Sequence, residues 1–444
     1  MLTFPGVQLL DVTGPFQVFA SANDIVEAAG GARPYRLRLM APDGGGVTST
    51  AGVGLATTPL SRRDEALDTL IIPGGSGVEA VAANAALMKW LQQRATVASD
   101  STYYASANRG KKSLTADISK PAGQALIKQL AAVSDVFIEN YKVGDLARYG
   151  LDYEVIRKIN PGIIYCSITG YGQDGPSAHK PGYDFVFQGL GGLMSITGER
   201  DGAEGGGPQK VGIAIADVMT GMYASVAILA ALHHRSVAGV GQYIDMALLD
   251  CIVAIGGNQV AGYLTTGNVP RRYGNAHASL VPYQVFATQN AQIVVAVGND
   301  VQWLRFCKAI SRDDLAANQR FAKVKGRVTG RNELIPELCR TMLTQNTEFW
   351  IARLEAEDVP CGPINDYAQV FADPQVLHRK LRTDIAAASG ALVSTAASPL
   401  RLTLTPPRYD LAPPALGEHT DTVLTSLLGK TAEEIGALRR DGII

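Results

Sequence analysis

The sequence predicts an α/β fold built on a parallel sheet, with a second, smaller α+β domain. Three observations predict it. Short apolar runs, each closed by glycine or proline, alternate with helical stretches along much of the chain. Glycine is unusually frequent, 47 of 444 residues, as many tight strand-to-helix turns require. The segment Val211–Ala216 reads as a strand leading straight into a long helix, Asp217–His234, whose Val218, Met222, Val226 and Leu229 keep helical spacing. A chain of this length is too long for one compact core, so two or three domains are expected.

In order along the chain, residues 3–12 read as a short buried strand, and Gly14-Pro15 opens a helical pattern to about Ala29. Tyr35–Ala41 alternates like a strand and ends at the turn Pro42-Asp43-Gly44-Gly45-Gly46. Leu70–Pro73 is an apolar run closed by Gly74-Gly75, and Asn84–Arg94 has helical spacing. From Ser106 a polar entry leads to a short strand near Ser113-Leu114. Pro121 then starts a helix to about Ala132, followed by strands at 135–139 and 162–167. Residues 265–365 mix short strands and helices, the pattern of the smaller domain. Pro406-Pro407 and Pro413-Pro414 bracket a connector before a final helix near Thr420–Leu428.

Composition narrows the function. Apolar residues make up 46% and charged residues 18%, with a net charge of −1 and no basic cluster, so an electrostatic grip on nucleic acid is not expected. Five scattered cysteines (Cys166, Cys251, Cys307, Cys339, Cys361) form no C-x-x-C pair, which argues against a disulfide framework or a zinc knuckle. The first residues lack a basic region and a cleavage site, and the longest apolar run, Met222–Leu232, is about 11 residues, short for a bilayer. A cytoplasmic protein without membrane contact is the expectation.

The candidate site centres on Asp217. Placed where a strand ends and a helix begins, it reads first as a helix N-cap and second as a ligand-facing carboxylate at the C-terminal edge of a parallel sheet. There the helix dipole favours its ionised, nucleophilic form. Spacing alone leaves these open. Gly189-Leu190-Gly191-Gly192 lacks both the phosphate-loop and the dinucleotide spacing and reads as a tight turn. His233-His234 read as exposed residues at a helix end, and the six histidines form no metal spacing.

Beyond these patterns, the chain from about Ser99 to Ile444 resembles the family III CoA-transferases, the formyl-CoA, carnitine and succinate–hydroxymethylglutarate (glutarate) enzymes. The resemblance runs in order through SANRGKKSLTADISKPAGQALIKQL (106–130), SDVFIENYKVGDLARYGLDYE (134–154), NPGIIYCSITGYGQDGP (160–176) and KPGYDFVFQGLGGLMSITGERDG (180–202). It continues with KVGIAIADVMTGMYASVAILAALHHR (210–235), GNAHASLVPYQVFAT (274–288), VPCGPINDYAQVFADPQVL (359–377) and LGEHTDTVL (416–424). It implies a Rossmann-like large domain, a small domain near 265–365 with the chain returning to the large domain at about 395–444, and an interlocked homodimer. The implied nucleophile is Asp217, which would pass CoA between carboxylic acids through an aspartyl-CoA thioester with no metal and no permanently bound cofactor. The implied CoA contacts are Asn140, Tyr141 and Arg148, with Lys180 or Lys120 at a phosphate. Tyr183 and Asp184 correspond to walls of the site, and amides of the Gly189–Gly192 turn are candidate oxyanion donors. The stretch Asn275–Leu280, with VPYQVF and FADPQVLH, resembles the dicarboxylate-handling group, so His277 and Arg271-Arg272 are candidates for a diacid's second carboxylate. An acyl-CoA racemase of the same superfamily is the less favoured alternative, because no histidine matches its His/Asp pair.

Residues 1–98 instead resemble the start of a DJ-1/PfpI-like domain, through FPGVQLLDVTGPFQVFASAN (4–23), YRLRLMAPDGG (35–45) and LDTLIIPGGSGVEA (67–80). The resemblance stops before that family's nucleophile cysteine. It also stands where the transferases carry a leading strand and a CoA-binding arginine; Met40-Ala41-Pro42-Asp43 occupies that place. A catalytically impaired fusion acting as a binding module is therefore the competing expectation.

Overall fold

The computed structural model describes residues 1–28, 31–33, 35–60, 84, 87, 90, 102–388 and 390–444. The chain forms two compact units, one of Met1–Thr115 with Leu381–Thr420, the other of Ala116–Lys380 with Asp421–Ile444.

In the first unit, helix α1 (Leu9–Ala28) precedes strands β1 (Met40–Ala41), β2 (Gly45–Thr48) and β3 (Gly54–Pro59). Their order is β1-β3-β2, with β1 parallel and β2 antiparallel to β3. Phe4, Val7, Val12, Ala41 and Val47 form its apolar centre. The strand expected over 3–12 is not formed. Leu2 and Val7 make single bridges to Met40 and Ser49, and α1 already begins at Leu9; a short apolar run fits either state until its partners are known. Of the expected strand 35–41 only β1 pairs. The strand at Leu70–Pro73 lies outside the described residues. Of the helix at 84–94, Leu87 and Trp90 are helical, and Asn84 Oδ1 accepts the Leu87 N–H at 2.9 Å. Helix α2 (Thr102–Asn108) stands ahead of the expected strand near Ser113, which is absent: the Ser113 amide meets His419 Nδ1 at 3.3 Å instead of a ladder. A hairpin of Arg382–Ala386 and Leu392–Ala396 completes this unit.

The second unit holds the parallel sheet. Helix α3 (Pro121–Ala132), with proline in its first turn, precedes β4 (Val136–Glu139); α4 (Tyr153–Ile159) connects β4 to β5 (Ile164–Thr169). Helix α5 (Asp184–Leu190) and the long α6 (Ile215–Ala238) connect β5 to β6 (Gln242–Ala247), and α7 (Leu248–Ala254) follows. The order is β4-β5-β6, all parallel, with Val136 opposite Ile164 and Ile164 opposite Gln242. One sheet face stacks Phe137 on Tyr165, with Tyr153 and Tyr243 closing the aromatic group. The segment Val211–Ala214 is not the expected strand; it is extended chain that leads into α6.

Residues 281–361 have their own core. Strands Tyr283–Ala287, Gln292–Ala296 and Cys361–Pro363 form an antiparallel sheet covered by helices, with Trp303, Phe306, Leu334, Leu338 and Leu354 fully buried. Arg327, also fully buried, binds this core together. Its Nε donates to Val281 O at 2.8 Å, Nη1 to Phe321 O at 2.9 Å and Nη2 to Asp300 Oδ1 at 3.1 Å, and its guanidinium lies 5.2 Å from the Trp303 ring. The C-terminus adds the expected helix Thr420–Leu428 and a further one, Ala432–Arg440, opened by a capping box of Thr431 and Glu434. Replacing Arg327 with Ala strands two buried carbonyls and one carboxylate. The expected cost is about 3–5 kcal/mol, read as a lowered denaturation midpoint.

Candidate active site

The direction of α6 places Asp217. Near its C-terminus, Arg235 donates to Gly162 O at 3.0 Å and pairs with Asp135 at 2.8 Å, at the starts of β5 and β4. The helix therefore runs antiparallel to the strands. From Arg235 to Asp217 it climbs roughly 27 Å, against roughly 20 Å for a six-residue strand, so Asp217 lies at the C-terminal edge of the sheet.

Asp217 is not the helix N-cap. The cap position is Ala214, whose side chain accepts nothing, and Asp217 is the third helical residue. The cap comes from another element: Asp184 Oδ1, at the start of α5, accepts the Ala216 N–H at 2.7 Å and the Asp217 N–H at 3.4 Å. Gln188, one turn further along α5 and fully buried, donates to Asp184 Oδ2 at 2.7 Å and to Ile213 O at 3.3 Å. It accepts the Val211 N–H at 2.8 Å. This amide explains the missing strand, because Val211 and Ile213 spend backbone groups on Gln188 rather than on a ladder. Sequence reasoning passed over Gln188. The available signal was its i, i+4 spacing from Asp184 on one helix face.

Apolar packing fixes α5. Phe187, Ala216 and Ile252 are buried together. The Phe187 ring presses so closely on Gly170 and Gly182 that an added Cβ would stand 2.7 Å and 2.3 Å from it. Only glycine fits at both places.

The pKa of Asp217 is raised from the ordinary carboxylate value, first by partial burial and second by the neighbouring Asp184 carboxylate. The Gly189–Gly192 turn differs from the expectation. The Gly191 amide donates to Phe187 O at 2.8 Å and the Gly192 amide to Gly189 O at 3.3 Å, so these two of the candidate oxyanion donors are already spent.

The other expected site residues fall in separate places. Asn140, Tyr141 and Arg148 are exposed, with Tyr141 N bonded to Glu139 and Arg148 paired to Asp145 at 2.8 Å. They flank a cleft of about 410 Å³ whose lining includes Lys142, Gly144, Ala147, Tyr153, Tyr165 and Tyr243. Lys180 and Tyr183 are exposed. Lys120 is committed elsewhere, donating to Asp441 O and Gly442 O at 3.0 Å. His277 Nδ1 accepts the Ser279 N–H at 3.1 Å, and Arg331 donates to the His277 and Ala278 carbonyls, so its loop is built rather than loose. Arg272 is not open to a substrate: it donates to Glu199 O and Ser195 O at 3.1 Å and pairs with Asp201. Arg271 is exposed. Among the described residues no hydrogen bond or ion pair joins His277, or the Asn140–Arg148 segment, to Asp217. His233 and His234 are exposed, as expected.

All five cysteines are free thiols, three of them buried. Burial pushes Cys166 up to about 11 and Cys307 up to about 12.

A raised folded-state pKa at Asp217 means that the native state binds its proton more tightly than the unfolded chain. Asp217 therefore costs stability at neutral pH, and that cost fades as pH falls below the unfolded value of about 3.9. Asp217→Asn is expected to raise the melting temperature at pH 7, with the gain vanishing near pH 3, as followed by thermal melts across that range.

Comparison with known proteins agrees with this geometry. Residues 81–420 match CoA-transferase family III, a match that begins ahead of the junction read near Ser99. Succinate–glutarate CoA-transferase of Agrobacterium fabrum is 45% identical over 73% of this chain and 80% of its own. Succinyl-CoA:glutarate CoA-transferase of Homo sapiens is 41% identical over 78% of each. A CAIB/BAIF family protein from Brucella suis superposes with a TM-score of 0.65 at 42% identity, covering 73% of this chain and 84% of that one. A family match over residues 81–420, with relatives 41–45% identical, makes this protein a member of CoA-transferase family III.

Proposed function

We propose that the protein moves CoA from succinyl-CoA to a dicarboxylic acid, with Asp217 as the covalent carrier. The observation that carries this reading is the Asp217 carboxylate itself, open to solvent at the sheet edge on a helix turn whose amides Asp184 holds. The activities named for the relatives from Agrobacterium fabrum and Homo sapiens supply donor and acceptor.

The chemistry balances without an added reactant. The Asp217 carboxylate attacks the thioester carbonyl of succinyl-CoA, forming a succinyl–aspartyl anhydride and expelling CoA thiolate. The thiolate attacks the aspartyl carbonyl, giving the aspartyl-CoA thioester and free succinate. The acceptor carboxylate attacks that thioester, forming a second anhydride and thiolate, and the thiolate takes the new acyl group and frees Asp217. Asn140, Tyr141, Arg148 and Lys180 remain our candidates for CoA. Tyr183 and His277 are our candidates on the substrate side, while Asp184, expected there too, is occupied in holding the first turn of α6.

The second copy of the chain is part of this reading. Val218, Met222, Val226 and Leu229 form an exposed apolar stripe on α6, between 51% and 66% accessible. The 24-residue helix, with a mean hydropathy of 1.7 over an 18-residue window, is also long and apolar enough to cross a membrane, although its uninterrupted apolar run looked too short. The opposite face argues for protein rather than lipid, because Ala216, Thr220, Ala224 and Ala231 are buried in the protein. A symmetric dimer covering the stripe accounts for both faces. Free thiols are in keeping with a cytoplasmic setting. Residues 1–98 we read as a DJ-1/PfpI-like segment, supported by the motifs quoted above and by the α/β character of α1 and β1–β3. Without the transferases' leading arginine, weakened CoA affinity and reduced activity are expected.

Full-length protein mixed with succinyl-CoA and glutarate is expected to form glutaryl-CoA by mass spectrometry. Asp217→Ala is expected to lose exchange by a factor on the order of 10³ or more. No exchange with any diacid, from a folded protein, would refute the reading. Val226→Asp with Leu229→Lys is expected to convert a species of twice the chain mass to monomer, read by light scattering.

A further inference from the structure

The orientation of the Gln188 amide is decided by its neighbours. The Val211 N–H, 2.8 Å away, can only donate, so the atom it meets is the amide oxygen. Nε2 must then face Ile213 O and Asp184 Oδ2. Asp184 Oδ1 in turn faces the N–H groups of Ala216 and Asp217. Among the described residues, every hydrogen-bond partner of the Asp184 carboxylate is a donor. The carboxylate sets its negative charge at the positive end of α6.

That charge lies beside a group whose own charge changes during the reaction just proposed, on which this inference rests. Residue 217 is an anion when free and uncharged as anhydride or thioester. A neighbouring anion penalises the free form alone. We propose that Asp184, locked by Gln188, is a positioning residue that destabilises the free Asp217 carboxylate relative to its covalent forms and so favours loading with CoA. The raised pKa of Asp217 is in keeping with this. The other titratable groups on elements packed against α6 are Tyr165 and Cys166 on β5, Tyr243 and Asp245 on β6, and Asp250 and Cys251 on α7. Among the described residues, Asp184 supplies the charge that raises Asp217.

A purely structural cap makes a different prediction. Asp184→Asn keeps an oxygen for the Ala216 N–H but removes the charge. In full-length protein, carbodiimide with an added amine labels protonated carboxyls, and peptide mass spectrometry gives the pH midpoint for Asp217 without needing activity. The midpoint is expected at lower pH in Asp184→Asn than in the unsubstituted protein, and the fraction of chains carrying the CoA mass after exposure to succinyl-CoA is expected to fall. Gln188→Leu, which frees Asp184 from its lock, is expected to move both in the same direction and serves if Asp184→Asn fails to fold. An unchanged midpoint, or a shifted midpoint with unchanged CoA loading, would overturn the proposal. A shifted midpoint in a protein that never gains the CoA mass would instead overturn the transfer reaction and leave only the charge effect.

Discussion

Helix α6 is held at both ends, and the site depends on that. At its C-terminal end Arg235 reaches the starts of two strands, through Gly162 O and Asp135. At its N-terminal end Asp184 receives two amides that no helical carbonyl can satisfy. A rod pinned at two points has little freedom to slide or tilt. Asp217, whose own amide belongs to the N-terminal pin, inherits that rigidity. The pin rests on Phe187, which seats α5 against glycine backbone at residues 170 and 182. Backbone geometry, apolar packing and a carboxylate thus meet within one helical turn.

Much of this was legible in the residues. Pro121 announced α3, the apolar runs at 135–139 and 162–167 announced β4 and β5 to within two residues, and the spacing of Val218, Met222, Val226 and Leu229 announced α6. The failures have physical causes. Val211–Ala216 has a strand's composition, but its backbone groups are taken by one buried side chain, which no local pattern reveals. Asp217 looked like a cap because the true cap, Asp184, lies 33 residues earlier in the chain. Residues 3–12 carried an apolar run compatible with either state, and long-range pairing decided against the strand. The stripe on α6 was read correctly as helical, but the spacing did not say that it faces outward.

The candidate contacts divide in an instructive way. Cations expected to be available turned out to be occupied: Lys120 closes the C-terminal turn and Arg272 ties residues 195–201 to the His277 loop. Type and position in sequence do not distinguish a free guanidinium from one already saturated by carbonyls. Family membership supplies what geometry lacks, namely the reaction. Geometry supplies what family membership lacks, namely the reason Asp217 is so placed, and the particular side chains that hold it there.

The five thiols acquire a meaning from the chemistry assigned to Asp217. A reaction that releases CoA thiolate twice, on loading and on unloading Asp217, works beside free CoA, whose disulfide form would capture any ionised cysteine within reach. Here burial raises the pKa of every cysteine, and Cys166, Cys251 and Cys307 are withdrawn from solvent altogether. At neutral pH the chain offers little competing thiolate, so the sulfur of the substrate meets no rival nucleophile and finds no trap in the protein that handles it.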